Sequence, residues 1–255
     1  MGILDLFRLD GKVAIVTGCG RGLGQGMAAA LAEAGADIFG VGSAGEAKET
    51  REMVEKAGRK FAYLSANLQT IEPVEKIIKE AIAVFGKIDI VVNNAGIIRR
   101  NDSVDLTEAE WDDVMNINLK TVFFMCQAAA RQFIKQKSGG KIVNVASMLS
   151  FQGGIRVPSY TASKSGVKGI TMLMANEWAK HNINTNAIAP GYMVTDNTEA
   201  IRADPVRSAA ILDRIPANRW GLPGDLAGAV VFLSSEAASY INGYTLAVDG
   251  GWLAR

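Results

Sequence analysis

Tyr160 and Lys164 stand four residues apart in Tyr160-Thr161-Ala162-Ser163-Lys164, within a stretch that reads as helix, so their side chains share one face. A free tyrosine titrates near ~10, too high for base catalysis at neutral pH, and a neighbouring ammonium favours the phenolate. Beside Lys164, Tyr160 could take a proton from an alcohol, or give one to a carbonyl oxygen as hydride arrives. The same spacing occurs on any solvated helix, so the pair means something only in company. Ser147 supplies some: it ends the apolar run 141–146 upstream of Tyr160, and in a parallel sheet ligands meet the carboxyl ends of strands. Its hydroxyl could bond the same reacting oxygen. Asn118 lies in an otherwise apolar helical stretch, where a polar side chain needs a partner. It is either a core residue satisfied internally or a fourth member of this group.

A second group could hold an anion. Thr17-Gly18-Cys19-Gly20-Arg21-Gly22-Leu23-Gly24 follows an apolar strand and precedes an Ala-rich helix. Glycines at 18, 22 and 24 permit a tight turn, close backbone approach to a pyrophosphate and close helix packing, and the helix start offers free N–H groups. No Gly-Lys-Ser/Thr closes the motif, so it is not a P-loop. Glycine is in excess, 27 of 255 residues, and no flexible linker accounts for it.

Other chemistries drop out. Cys19, Cys126 and the single His181 provide no disulfide framework, no metal-ligand spacing and no placed base for a Ser-His-Asp triad. A formal charge of +1 with scattered cations gives no footprint for nucleic acid. No apolar run approaches the ~20 residues that span a bilayer. Asp5, Arg8 and Asp10 interrupt a signal-peptide core. The expectation is a cytoplasmic protein with no membrane or nucleic-acid partner and no metal.

The elements that must position these groups alternate along the chain. Apolar β-branched runs at 13–17, 37–41, 60–64, 88–93, 141–146, 183–189 and 245–248 alternate with helical patterns at 23–34, 47–57, 71–85, 108–136, 159–181 and 226–234. That is the pattern of βαβ units, and it predicts an α/β fold. The expected form is a single domain over 1–255, a doubly wound parallel sheet of about seven strands with helices on both faces. Residues 193–223 have no clean period and read either as a substrate lid or as a plain surface excursion.

The spacing Thr-Gly-x-x-x-Gly-x-Gly resembles that of the short-chain dehydrogenase/reductase family. Asn93-Asn94-Ala95-Gly96, Asn118, Ser147, Tyr160, Lys164 and Pro190-Gly191 followed by Thr195 match its pattern in order across the chain. The resemblance implies a Rossmann-type fold and hydride transfer between nicotinamide C4 and a substrate carbon. Tyr160 would be the acid/base, with Ser147 positioning the oxygen. Lys164 would bind the nicotinamide ribose and lower the Tyr160 pKa, and Asn118 would hold a water in a proton relay. The implied cofactor contacts are Gly18, Arg21, Gly22, Leu23, Gly24, Gly42, Ser43, Asn67, Leu68, Asn94, Ala95, Gly96, Tyr160, Lys164, Pro190, Gly191, Met193 and Thr195. The family also implies a homotetramer built through the two long helices.

The family's NAD-selecting Asp is replaced by Gly42-Ser43, and Arg21 is a cation where a 2′-phosphate could sit; both lean toward NADP. The segments 147–160, 175–184, 213–216, 219–221 and 248–255 resemble a group within the family that acts on deoxy-sugar acids from pectin-type uronates and is generally NAD-linked. NAD is therefore the expected cofactor and NADP the alternative. A sugar-acid carboxylate calls for Arg, and Arg156, between Ser147 and Tyr160, and Arg100, after the Asn-Asn-Ala-Gly turn, are the candidates; each could equally be a solvated cation. Gln152 and Tyr192 could bond hydroxyls, and Trp220 could wall the site. Gluconate 5-dehydrogenase and 3-oxoacyl-carrier reductase chemistry are the enzymatic alternatives, and a non-catalytic dinucleotide sensor is the alternative from another class.

Overall fold

The computed structural model describes residues 2–43 and 45–255. Seven strands, β1 (Val13–Thr17), β2 (Asp37–Gly42), β3 (Phe61–Ser65), β4 (Ile90–Asn93), β5 (Gly140–Val145), β6 (Ile183–Pro190) and β7 (Thr245–Val248), form one sheet in the order β3-β2-β1-β4-β5-β6-β7. Every pairing is parallel. The order reverses between β1 and β4, which opens a crevice at their carboxyl ends, where an open α/β sheet takes its ligand.

The central strands are apolar on both sides because helices cover both faces. In β1, Ala14 and Val16 face one apolar cluster and Ile15 the other. The first cluster is closed by α1 (Gly22–Glu33), α2 (Lys48–Lys56) and α9 (Ala227–Ser234), through Met27, Leu31, Val54 and Val230. The second is closed by α3 (Val74–Phe85), α5 (Val122–Gln136) and α6 (Pro158–Trp178), through Ile77, Met125, Phe133, Val167 and Met174. Each such side chain contributes about 1.5–3 kcal/mol by leaving water.

Two features depart from the elements expected from periodicity. The helix expected over 108–136 is α4 (Glu108–Met115), a π-helical turn Asn116–Thr121, and then α5. The wide turn re-aims Asn118 without ending the helix, a distortion often found at functional sites. Residues 193–223 are not a bare loop: they carry α7 (Glu199–Ala203) and α8 (Pro205–Arg214). Asp204 caps α8, accepting from the Val206 and Arg207 N–H groups at 3.0 Å each, and Pro205 occupies its first turn. Asp-Pro is a cap-and-start signature legible in the sequence. The excursion is pinned at its base, where Val194 N–H donates to Gly221 C=O (2.7 Å) and Gly221 N–H to Tyr192 C=O (2.9 Å). Its inner surface packs Ile201, Ile211 and Ile215 on Met148 and Trp252.

Candidate active site

The glycine turn runs from β1 into α1. Gly18 (φ +66°) and Gly22 (φ +57°) hold left-handed backbone that favours glycine. At Gly24 a Cβ would strike the Gly18 carbonyl and the Asn94 amide, so α1 can reach this close only with glycine there. A Cβ at Gly22 would meet only the Thr195 methyl at 3.8 Å, so that backbone faces open space. Arg21, the N-cap of α1, makes no side-chain cap bond. The first N–H groups of the helix therefore point into the crevice unclaimed by a capping side chain, and they fit a pyrophosphate.

Asn94 braces this turn from β4. Its amide donates to the carbonyls of Thr17 (3.0 Å) and Gly18 (3.1 Å), while Thr17 Oγ1 accepts from the N–H groups of Asn94 and Ala95, both at 3.0 Å. One cleft of about 790 Å³ is lined by Gly18, Arg21, Gly22, Leu23, Gly24, Gly42, Ser43, Asn67, Leu68, Asn94, Ala95, Gly96, Tyr160, Lys164 and Thr195. Three expected cofactor contacts lie outside this lining. Gly191 packs on Asp249, and Met193 is buried in the core at the start of the 193–223 excursion, just after Pro190. A second cleft, about 560 Å³, opens at the amino ends of the strands around Lys12, Asp89 and Lys141. It contains none of the candidate groups and lies at the end of the sheet away from the crevice.

Tyr160 and Lys164 line the main cleft, and Ser147 and Asn118 are buried. Asn118 is fully buried and grips the backbone of Ile97 twice: its Oδ1 accepts from Ile97 N–H and its Nδ2 donates to Ile97 C=O, both at 2.9 Å. Ser147 Oγ accepts from Leu149 N–H at 3.1 Å, and Ser147 acts on the Tyr160 phenol. Burial pushes the Tyr160 phenol above its ordinary pKa, and the Ser147 hydrogen bond and the Arg100 charge pull the other way. Lys164 Nζ donates to the Val145 carbonyl at 2.6 Å and lies 5.7 Å from the Tyr160 ring centroid. Its own pKa is pushed down to about 8 by burial. The downward pull on Tyr160 in this arrangement comes from Ser147 and Arg100.

At the adenosine end, sequence reasoning missed Tyr63. Its hydroxyl lies 2.6 Å from where a Gly42 Cβ would stand, filling the space into which an acidic side chain would project. The signal was available, since Tyr63 pairs with Gly40 in the β2–β3 register, but it requires the pairing to be known. Glu46, Lys48 and Glu49 line the same end, and Arg21 is ion-paired with Asp196 at 2.8 Å. Asn67 Oδ1 accepts from Gln69 N–H at 3.0 Å.

The substrate candidates separate. Arg156 forms an exposed ion pair with Asp102 at 3.1 Å, and Gln152 accepts from Arg214 at 3.4 Å. Tyr192 packs edge-on against Trp220 and Trp252, with centroids 5.5 and 4.8 Å away. Arg100 reaches toward the catalytic group: its guanidinium donates to the Asn197 carbonyl at 3.0 Å, and it feels the charges of Tyr160 and Tyr192.

Known proteins agree with this architecture. Residues 18–253 match a family model described as enoyl-(acyl carrier protein) reductase. The chain is 66% identical over 253 residues to the 2-dehydro-3-deoxy-D-gluconate 5-dehydrogenase of Escherichia coli, covering 99% of this chain and 100% of the relative. It is 51% identical over 256 residues to the enzyme of the same name from Bacillus subtilis, covering 100% of each. A crystal structure of a gluconate 5-dehydrogenase from Burkholderia cenocepacia, in complex with NADP and tartrate, superposes with TM-score 0.93 at 37% identity, covering 100% of both chains. The chain belongs to the short-chain dehydrogenase/reductase family and is one of its NAD(P)-dependent oxidoreductases of CH–OH groups.

Proposed function

We propose that the enzyme interconverts the C5 alcohol and ketone of 2-dehydro-3-deoxy-D-gluconate, using NAD. The observation that carries this reading is the buried Tyr160 phenol with Ser147 and Arg100 acting on it, within a chain 66% identical over 99% of its length to an enzyme of that name. Tyr160 and Ser147 make a site for a hydroxyl or carbonyl oxygen, and the guanidinium offers a partner for a carboxylate on the same small molecule.

Bound nicotinamide supplies or accepts the hydride. In oxidation Tyr160 takes the hydroxyl proton as the C–H bond delivers its hydride; in reduction it returns that proton to the carbonyl oxygen. Ser147 holds the oxygen against Tyr160. Lys164 holds the ribose and carries the proton onward, and Asn118 fixes the 96–97 turn that closes the nicotinamide side. Arg100, Tyr192 and Trp220 form the substrate side.

The adenosine end supports NAD, since Arg21 is neutralised by Asp196 and the rim adds Glu46 and Glu49 against Lys48. NADP is the second reading, favoured by Gly42 and by NADP bound in the Burkholderia structure. The buried free thiols of Cys19 and Cys126 suit a reducing cytoplasm. Exposed Ile134 on α5 and Met172 and Leu173 on α6 offer an apolar face for a homotetramer serving uronate breakdown. Initial rates with NAD and NADP against 2-dehydro-3-deoxy-D-gluconate, D-gluconate and a 3-hydroxyacyl thioester test the reading. The deoxy acid with NAD gives the highest kcat/KM, and a tenfold preference for any other combination overturns the assignment.

A further inference from the structure

Gly40 and Gly42 of β2 lie on one face of the strand, two residues apart. Neither has left-handed backbone, so conformation does not call for glycine at either place, and glycine weakens a strand. The reason for both lies on the neighbouring strand. A Cβ at Gly40 would come within 2.6 Å of Cys19 Sγ and 3.0 Å of the Phe61 ring, and a Cβ at Gly42 within 2.6 Å of the Tyr63 hydroxyl. Phe61 and Tyr63, on β3, stack with ring centroids 6.4 Å apart and planes 19° apart. The two rings lie over the ground that the two glycines vacate. Phe61 anchors the stack: it is buried, the Arg51 guanidinium sits 5.1 Å from its ring centroid, and Arg51 donates to its carbonyl at 3.2 Å. Tyr63 is half-buried and lines the cofactor cleft with Gly42, Ser43 and Asn67.

The end of the second strand, about twenty residues past the glycine turn, is where a dinucleotide-binding fold sets an acid against the ribose 2′-hydroxyl of NAD. Gly42 holds that position with no side chain to offer. A carboxylate oxygen of an aspartate stands about 2.4 Å from its own Cβ, and the Tyr63 hydroxyl stands 2.6 Å from the Gly42 Cβ position. The phenol thus brings an oxygen within the reach of the missing carboxylate, from the next strand over. Burial raises its pKa above the ordinary value, so at neutral pH it is an uncharged hydroxyl that can both donate and accept. Around it Arg21 is matched by Asp196, and Glu46 and Glu49 outnumber Lys48, which disfavours a further negative charge.

We propose that Tyr63 reads the adenosine ribose, its hydroxyl bonding the 2′-hydroxyl of NAD in place of the missing acid and its ring occupying the volume that a 2′-phosphate would enter. This rests on the NAD reading above and adds to it a specificity-determining residue contributed by β3.

The test is binding in the absence of substrate. Dissociation constants of NADH and NADPH are measured by fluorescence titration for wild type, Tyr63→Phe, Tyr63→Ala and the double variant Gly42→Asp with Tyr63→Ala, and Tm is recorded for each. In Tyr63→Phe, loss of one hydrogen bond weakens NADH binding by roughly three- to tenfold and NADPH binding by less than about twofold, so the preference for NADH falls. Tyr63→Ala, which also clears the volume, lowers the preference at least as far. Gly42→Asp restores it in that background, because the acid then has the place the ring held. An unchanged preference in Tyr63→Phe, equal losses on both cofactors, or no recovery in the double variant overturns the role of Tyr63 and leaves the NAD reading in place, which wild type alone decides. Tighter binding of NADPH by wild type removes the NAD reading, and the proposed role falls with it.

Discussion

The two halves of the cleft are built differently. On the cofactor half the groups that shape the turn are already satisfied: Thr17, Gly18, Asn94 and Ala95 bond one another across β1 and β4, and Gly24 packs with no room for a methyl. On the substrate half the Arg100 guanidinium has only the neutral Asn197 carbonyl as its partner, and the neighbouring excursion 193–223 carries its own small apolar cluster. The first half is preformed, and what it lacks is a ligand for helix N–H groups. The second holds a cation with no carboxylate partner. Rigid preorganisation suits an ancillary molecule common to many reactions, while a cation left without an anion suits discrimination among substrates.

The sharpest way to separate the halves is Tyr160→Phe, which removes the proton carrier and keeps the ring. Turnover falls by about 10²–10⁴-fold, while NADH affinity, read by fluorescence titration, stays within about twofold. Gly24→Ala attacks the cofactor half in the opposite sense. The new methyl collides with the Gly18 carbonyl and the Asn94 amide, costing ~1–3 kcal/mol as overpacking does. It lowers Tm in calorimetry and weakens NADH binding, and a wild-type Tm in that variant would show that the turn yields easily.

A smaller effect tests the substrate half. Arg156 is paired with Asp102 on the surface, where such pairs are worth about 0–1 kcal/mol. Arg156→Ala therefore shifts KM for the acid by less than about fivefold, well below the effect of Arg100→Ala. The reverse order would move the carboxylate to Arg156.

The smallest effect concerns Lys164. Burial lowers its pKa from 10.5 to about 8, so the unfolded chain binds more protons than the folded one between those values. Stability consequently rises with pH from about 8 toward 10.5 through this group, and the gain is lost as pH falls to 8. Denaturant unfolding of wild type relative to Lys164→Met shows wild type gaining in that window; a difference flat with pH contradicts the burial of the charge.

The same division governs what the sequence could reveal. Glycines 18, 22 and 24 and Asn94 are demanded by backbone geometry, which leaves few residue choices, so their spacing is readable. All seven strands and both helical layers follow from periodicity for the same reason. The substrate half depends on side chains from separate segments: Arg156 is nearer Tyr160 in sequence but is paired with Asp102, and the cation that acts on Tyr160 is Arg100, far upstream. Tyr63 escaped because it matters through strand pairing. The π-helical turn at Asn116–Thr121 escaped because one extra residue in a helical turn leaves little mark on an apolar period.

In the proposed reaction hydride leaves a secondary carbinol carbon of a deoxy-sugar acid while Tyr160 takes the hydroxyl proton. Incubating 2-dehydro-3-deoxy-D-gluconate deuterated at C5 with NAD and following the products by NMR tests this directly. Deuterium appearing at nicotinamide C4, with a primary isotope effect on turnover and transfer reduced by about 10²–10⁴-fold in Tyr160→Phe, is the predicted result. Retention of the label in the sugar while NADH forms, or undiminished transfer in Tyr160→Phe, would contradict it.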